Sequence, residues 1–497
     1  MRPCRPNLSR QFNAVLPRQA LGELDQINLE KIIVKMKSIV MAVAAATLSG
    51  QALALSPTTI PDMEVWLSGS SAQDGAIGTL FSGDLCVAGT YDLYLDNSAT
   101  PGSAQRAVSC TLDSTKVVGL STANPKVLIH KRSAGGSAMG VQPVADGTAI
   151  EFMNVNGANC TATVTPNVYS CAYNVTTNMV KHVPDAGFSD VDPGMFVGVN
   201  TPSGYADVTA VEMAALTIKT TRAGVFGVPV TVALRNALQQ AQGLVVGDET
   251  VANMPSLSRD QIASLMAIGG ITKWSSLMVG GTALTAYPGV TAPASSLVNI
   301  CRRVQGSGTQ AATNAVFLNN PCASGALQPA SASNTLTGPI VTQNSGSGDV
   351  ETCLDTANTA NKWAIGVQGT AYNKPDALGN MAKGYRFIKV DGVAPTAENV
   401  YNNTYPDWVE ETMQWRTGVP AADVQTILSK MSTDAGKPSI ISSFNVNQTW
   451  GLTGYLSLNT NGYAPSTVWT ASNPVATATH GVSNCRLPLI NKSSNIK

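Results

Sequence analysis

Short apolar runs alternate along the chain with segments of helical period, and polar junctions rich in Gly and Ser separate them. Runs at 65–67, 127–129, 225–234, 298–302 and 364–367 predict strands, each followed by Gly, Ser or a polar segment. Helices are predicted behind several of them. Ser258-Arg-Asp-Gln261 forms a capping box ahead of Ile262, Leu265 and Met266, and a second helix over 309–318 opens after Gly306-Ser307-Gly308. Strands alternating with helices predict an α/β fold. Two Cys-bearing stretches rich in Gly, Thr and Asn, 78–120 and 155–175, read as loop and hairpin insertions that decorate this core.

The pattern changes near the N-terminus. From Met36 the chain reads Lys37, then an apolar run over 39–48, then Ala52-Leu53-Ala54. The run is far shorter than the ~20 residues of a membrane span, so it predicts a secretory signal cleaved after Ala54. Residues 1–35, with Arg2, Arg5, Arg10 and Arg18, have no role ahead of such a signal and read as a start codon placed too early. No Cys adjoins the cleavage point, so no lipid anchor is expected. The expected destination is the periplasm or the exterior.

Composition agrees with export. Only 12% of the 497 residues are charged, about half the ~25% of an average soluble protein, so Ser, Thr, Asn and Gln must supply the polar surface. Lys plus Arg and Asp plus Glu number 31 each, which removes the positive field that nucleic acid or anionic lipid would need. Low charge with 44% apolar residues also excludes a disordered chain. Setting Cys4 aside, Cys86, Cys110, Cys160, Cys171, Cys301, Cys322, Cys353 and Cys485 form an even set that predicts disulfides. No C-x-x-C occurs and only three His are present, so neither a metal nor another cofactor is expected. Closing the smallest loops favours Cys160–Cys171 and Cys86–Cys110 and leaves the other four unassigned.

Candidate chemistry lies at four strand-to-helix junctions: Ser68-Gly69-Ser70-Ser71-Ala72, Ser133-Ala134-Gly135-Gly136-Ser137, Phe188-Ser189-Asp190 and Arg303-Val304-Gln305-Gly306-Ser307-Gly308-Thr309. Gly lets backbone N–H groups approach an anion, Ser and Thr add donors, and Arg303 supplies a permanently charged fork. Each segment alone reads more readily as an ordinary cap or turn, since caps are far commoner than anion sites.

Their order says more. Asn299-Ile-Cys-Arg-Arg-Val-Gln-Gly-Ser-Gly-Thr309 resembles the Arg-Arg-x-Asp-Gly-Ser-Gly-Thr loop of the phosphate-binding proteins of bacterial ABC transporters, which are type II periplasmic binding proteins. Leu257-Ser-Arg-Asp-Gln-Ile-Ala-Ser-Leu, Gly270-Ile-Thr-Lys-Trp274 and Lys362-Trp-Ala-Ile-Gly-Val-Gln-Gly-Thr-Ala-Tyr372 are similar to further family segments. The resemblance covers most of 64–415. It implies two α/β lobes closing on the ligand: 55–224 with the two insertions, 225–405, and 406–497 as a return to the first lobe with a C-terminal extension. The crossovers are expected after 223–234 and near 398–408.

The resemblance also implies site residues. Ser70, Ser71 and Ala72 match the first anion loop, and Ser133 matches a hydroxyl-and-amide donor loop. Asp190 matches an acidic acceptor for a protonated phosphate oxygen, and Arg303, Ser307, Gly308 and Thr309 match the donors of the second lobe. Gln305 stands where the family has Asp, and is expected to weaken discrimination against sulfate. The implied protein is a monomeric, non-enzymatic receptor for phosphate or a similar oxyanion, with an ABC permease as partner.

Two other functions compete. A secreted structural or adhesive protein on the same fold would also carry disulfides and hairpins. An exported serine hydrolase fits less well, because no Gly-x-Ser-x-Gly elbow occurs and His130, His182 and His480 lie in ordinary contexts. Trp363, Tyr372, Tyr405, Trp408 and Trp415 read as core or rim packing, and Glu410-Glu411 as solvated charges on a helix.

Overall fold

In the computed structural model the described residues are 55–490. The expected signal segment and its cleavage point lie outside them. Two sheets organise the chain. The larger has twelve strands, eleven of them in the order Val475–Ala476, Tyr455–Leu458, Leu216–Gly227, Trp408–Arg416, Ala186–Ser189, Met63–Gly69, Lys126–Arg132, Gln105–Thr111, Asp92–Asp96, Val168–Cys171, Cys160–Ala162. The twelfth, Gln368–Gly369, pairs with Leu216–Gly227. The smaller sheet runs Ile340–Asn344, Asn299–Arg303, Ala364–Gly366, Pro229–Thr231, Tyr385–Phe387. One buried apolar cluster lies along the larger sheet, and another joins the smaller sheet to strands Leu216–Gly227, Trp408–Arg416 and Tyr455–Leu458 of the larger, in a two-lobed α/β architecture.

Parallel pairing sets the position of the site. Met63–Gly69 lies parallel to both Lys126–Arg132 and Ala186–Ser189, and Asn299–Arg303 lies parallel to Ile340–Asn344 and Ala364–Gly366. These strands end at Gly69, Arg132, Ser189, Arg303 and Asn344, where open α/β sheets receive ligands.

The apolar run over 225–234 is not one strand. The first-sheet strand ends at Gly227, Pro229–Thr231 joins the second sheet, and Val232 starts the helix Val232–Ala241. A continuous apolar run has no period to separate a buried strand from a buried helix turn. The chain therefore crosses between sheets within a few residues; it touches the first sheet again at Gln368–Gly369 and returns to it at Trp408–Arg416. The stretches 78–120 and 155–175 extend the first sheet strand by strand from Lys126–Arg132 outward, so they are part of it rather than decoration.

Cys86–Cys110 and Cys160–Cys171 are disulfides, as the loop-size argument favours. The other four close as Cys301–Cys353 and Cys322–Cys485. Trp363, Tyr405, Trp408 and Trp415 are buried. Glu410 and Glu411 are not solvated helix charges. Both are buried on the strand Trp408–Arg416, where alternation sends them to opposite faces. Among the described residues no helix is long and apolar enough to cross a membrane.

Candidate functional site

The first-lobe wall of the site depends on close backbone approach. Gly69 has φ +105°, and a Cβ there would lie 2.0 Å from the Phe188 carbonyl oxygen. Only glycine lets the chain turn at this point into Ser70. Beneath the turn, the ammonium of buried Lys131 donates to the carbonyls of Gly69 (2.9 Å) and Ser70 (3.1 Å) and pairs with Asp74 at 3.1 Å. Burial lowers the Lys131 pKa, and the Asp74 carboxylate opposes that shift.

The second-lobe wall is the start of the helix Gly308–Leu318. Ser307 caps it by accepting the Gln310 N–H at 3.4 Å, and Gly308 brings the helix end against the first lobe. There Ser70 Oγ donates to one Asp190 carboxylate oxygen and Thr309 Oγ1 to the other at 3.3 Å, while the Asp190 N–H donates to Ser137 Oγ at 3.1 Å. Arg303 is nearly buried and donates to Ser347 Oγ (3.0 Å) and the Ser345 carbonyl (2.8 Å); its Nε has no partner. Burial lowers the Arg303 pKa, with Asp190, Tyr372 and Asp349 acting against it.

These groups surround a small, tightly closed cavity of about 10 Å3 lined by Ser70, Ser71, Ala72, Gly136, Ser137, Asp190, Arg303, Ser307, Gly308, Thr309 and Ser347. Helix N–H groups, hydroxyls and one guanidinium face a space that holds a single carboxylate. Chemically, such donors suit a small anion, and Asp190 suits one that carries a proton. The walls are held together beside the cavity. The Ala138 N–H donates to the Gly306 carbonyl at 2.9 Å, the Gly306 N–H to the Asn200 carbonyl at 3.0 Å, and Asn314 Nδ2 to Asn200 Oδ1 at 2.8 Å. Met139, Met195 and Phe196 pack on Ala311, Ala312 and Ala315 across the same seam.

Eight of the ten residues singled out from the sequence line this cavity. Ser133 and Gln305 do not. Ser133 Oγ donates to Asp74 at 2.7 Å and serves the platform under the Ser70 turn, while Ser137, four residues on, takes the cavity position. Gln305 is exposed and donates to the Val199 carbonyl at 3.3 Å on the outer side of the seam. None of the three histidines lines the cavity.

In the sequence Ser137 reads only as the end of its junction, with Ser133 assigned the donor role, and Ser347, Lys131 and Asp74 go unread. Ser347 had a signal: Asn344-Ser-Gly-Ser-Gly-Asp349 is a Gly/Ser opening to a helix, like the loop at Ser307. The sequence also hides Arg222 and Glu411. Thr221 is an extra residue in the ladder between Leu216–Gly227 and Trp408–Arg416, and it leaves Arg222 directly opposite Glu411. Arg222 Nε meets Glu411 Oε2 at 2.6 Å, Nη2 donates to the Ala72 carbonyl at 2.9 Å, and the guanidinium lies 3.9 Å over the Tyr455 ring. Among the described residues no group of His, Cys, Asp and Glu is set to hold a metal ion.

No protein-family model matches this chain, and no curated protein matches it. Solved structures similar to it include a Clostridium perfringens protein described as a phosphate ABC transporter substrate-binding protein, solved with bound phosphate. That match has 15% identity and a TM-score of 0.40, and covers 79% of this chain and 99% of the other. Another is an ABC-type phosphate transport receptor from Vibrio cholerae, at 14% identity and a TM-score of 0.31, covering 53% of this chain and 79% of the other. A third is PstS from Borrelia burgdorferi, at 14% identity and a TM-score of 0.29, covering 59% and 87%.

Proposed function

We propose that this chain is an exported solute-binding protein that captures a tetrahedral oxyanion, phosphate foremost, between its two lobes and delivers it to an ABC permease. The observation that carries the reading is the convergence of Arg303, the Ser307-Gly308-Thr309 helix start and the Ser70 and Ser137 hydroxyls on one cavity whose sole carboxylate is Asp190. Donors and a fixed positive charge favour an anion, and Asp190 favours one that still carries a proton. The resemblance of 299–309 to the phosphate-binding loop supports the same ligand. Export follows from the Met36 segment and fits four disulfides.

Isothermal titration of the purified chain with phosphate, sulfate and a monocarboxylate tests this. Saturable binding of one phosphate per chain is expected, with the monocarboxylate silent. No heat with either tetrahedral anion would reject it.

A further inference from the structure

Next to the anion cavity lies a second small chamber, of about 20 Å3. Its walls include Ala72, Thr309 and Ser347, which also line the cavity, together with Tyr372, Tyr455 and Glu411. Glu411 is fully buried. One of its oxygens is taken by Arg222, whereas Oε1 has no hydrogen-bond partner. That free oxygen stands at the chamber wall: a Cβ on Gly224, another lining residue, would lie 2.9 Å from it. A buried carboxylate oxygen without a donor is costly to keep, so a purely structural ion pair would have satisfied both oxygens.

We propose that Glu411 is a second acidic determinant of ligand choice: its free oxygen faces the space beside the bound oxyanion, disfavours a fully ionised one, and takes up a proton when such an anion enters. The proposal rests on the oxyanion-binding reading and extends it from one acidic group to two. Ionised, Glu411 cancels the charge of Arg222; protonated, it leaves that charge to the anion. Anion binding and Glu411 protonation are therefore linked. The groups facing it are Arg222 on its pairing strand, Tyr455, Tyr372 and, across the cavity, Asp190. Burial raises both tyrosines, which stay neutral near pH 7. Burial also raises Glu411 to about 7 against the opposing pull of Arg222, which puts the proposed exchange in the neutral range.

Sulfate is the probe, because it stays doubly ionised across neutral pH while phosphate titrates. Sulfate affinity of the unaltered chain should rise roughly tenfold as pH falls from about 8.5 to about 5.5. Glu411→Gln keeps an acceptor for Arg222 and should flatten that profile, binding sulfate at high pH about as well as the unaltered chain does at low pH. A flat profile in the unaltered chain, or an unchanged slope in E411Q, overturns the proposal while phosphate binding still upholds the oxyanion reading. If the unaltered chain binds neither anion, both fall. Should E411Q not fold, calorimetry of Asp190→Asn in buffers of different ionisation enthalpy decides. Proton uptake on sulfate binding that persists in D190N assigns it to Glu411, and its loss overturns the assignment.

Discussion

Gly308 stands so close to Asp190 that a Cβ on the glycine would lie 2.7 Å from the Asp190 Cβ, and 2.5 Å from Ser137 Oγ. The helix start of one lobe is thus fitted against the acidic residue of the other with no room for a methyl group. Gly308→Ala should wedge the seam. Overpacking costs about 1 to 3 kcal/mol, and here it falls on the closed arrangement that surrounds the ligand. Phosphate affinity should drop at least about fivefold by calorimetry, and unchanged affinity would mean that the lobes bind without closing this far.

Arg303→Ala should weaken phosphate binding by about 1.5 to 3 kcal/mol, the usual worth of a hydrogen bond to a charged group. The fold should survive, because the Arg303 side chain donates only to Ser347 Oγ and the Ser345 carbonyl and forms no ion pair, while its backbone bonds are kept in the variant. Titration together with a thermal melt checks both halves. A collapsed melt would make Arg303 a structural residue.

The family resemblance places Gln305 at a ligand-selecting position, yet its side chain is exposed and reaches the Val199 carbonyl. Gln305→Asp should therefore leave the ratio of phosphate to sulfate affinity unchanged within about twofold, because an exposed charge is screened by water and salt. A ratio that widens tenfold would show that residue 305 turns inward when ligand binds.

Three buried acids should make stability fall as pH rises from 5 to 8, outweighing buried His130 and His480, whose lowered pKa values act in the opposite direction. Burial raises Asp192 to about 6, and Asp407 and Glu411 to about 7. Between the ordinary carboxyl pKa and these values the folded chain holds more protons than the unfolded one. The stabilisation is complete below about pH 4 and is lost as each group ionises on the way to pH 7. The sum is on the order of several kcal/mol. Thermal melts at fixed ionic strength should give a higher midpoint at pH 5 than at pH 8, and the opposite order would mean that these acids are ionised in the native state.

What the sequence showed was local. The Ser258 to Gln261 capping box is present, with both reciprocal bonds, and the helix predicted over 309–318 begins one residue earlier. The two disulfides predicted from loop size span 24 and 11 residues; the two left open span 52 and 163, and only tertiary packing brings their partners together. The same limit applies at the site. Ser133 and Ser137 are interchangeable as residue types, and the turn between them decides which one faces the cavity. Glu411 looked like a surface charge because nothing nearby in the chain announces Arg222, which lies 189 residues away and meets it across a bulged ladder.

Cys322 follows the helix that forms the second-lobe wall, and its disulfide partner Cys485 sits next to Asn484, whose N–H donates to Asp192 of the first lobe at 2.7 Å. The bond turns 322–485 into a closed covalent ring that passes through both sheets. A protease that cuts an exposed loop anywhere within this ring leaves one molecule, not two. The fragments stay joined until a reductant opens the ring, so a nicked chain keeps both walls of the cavity together.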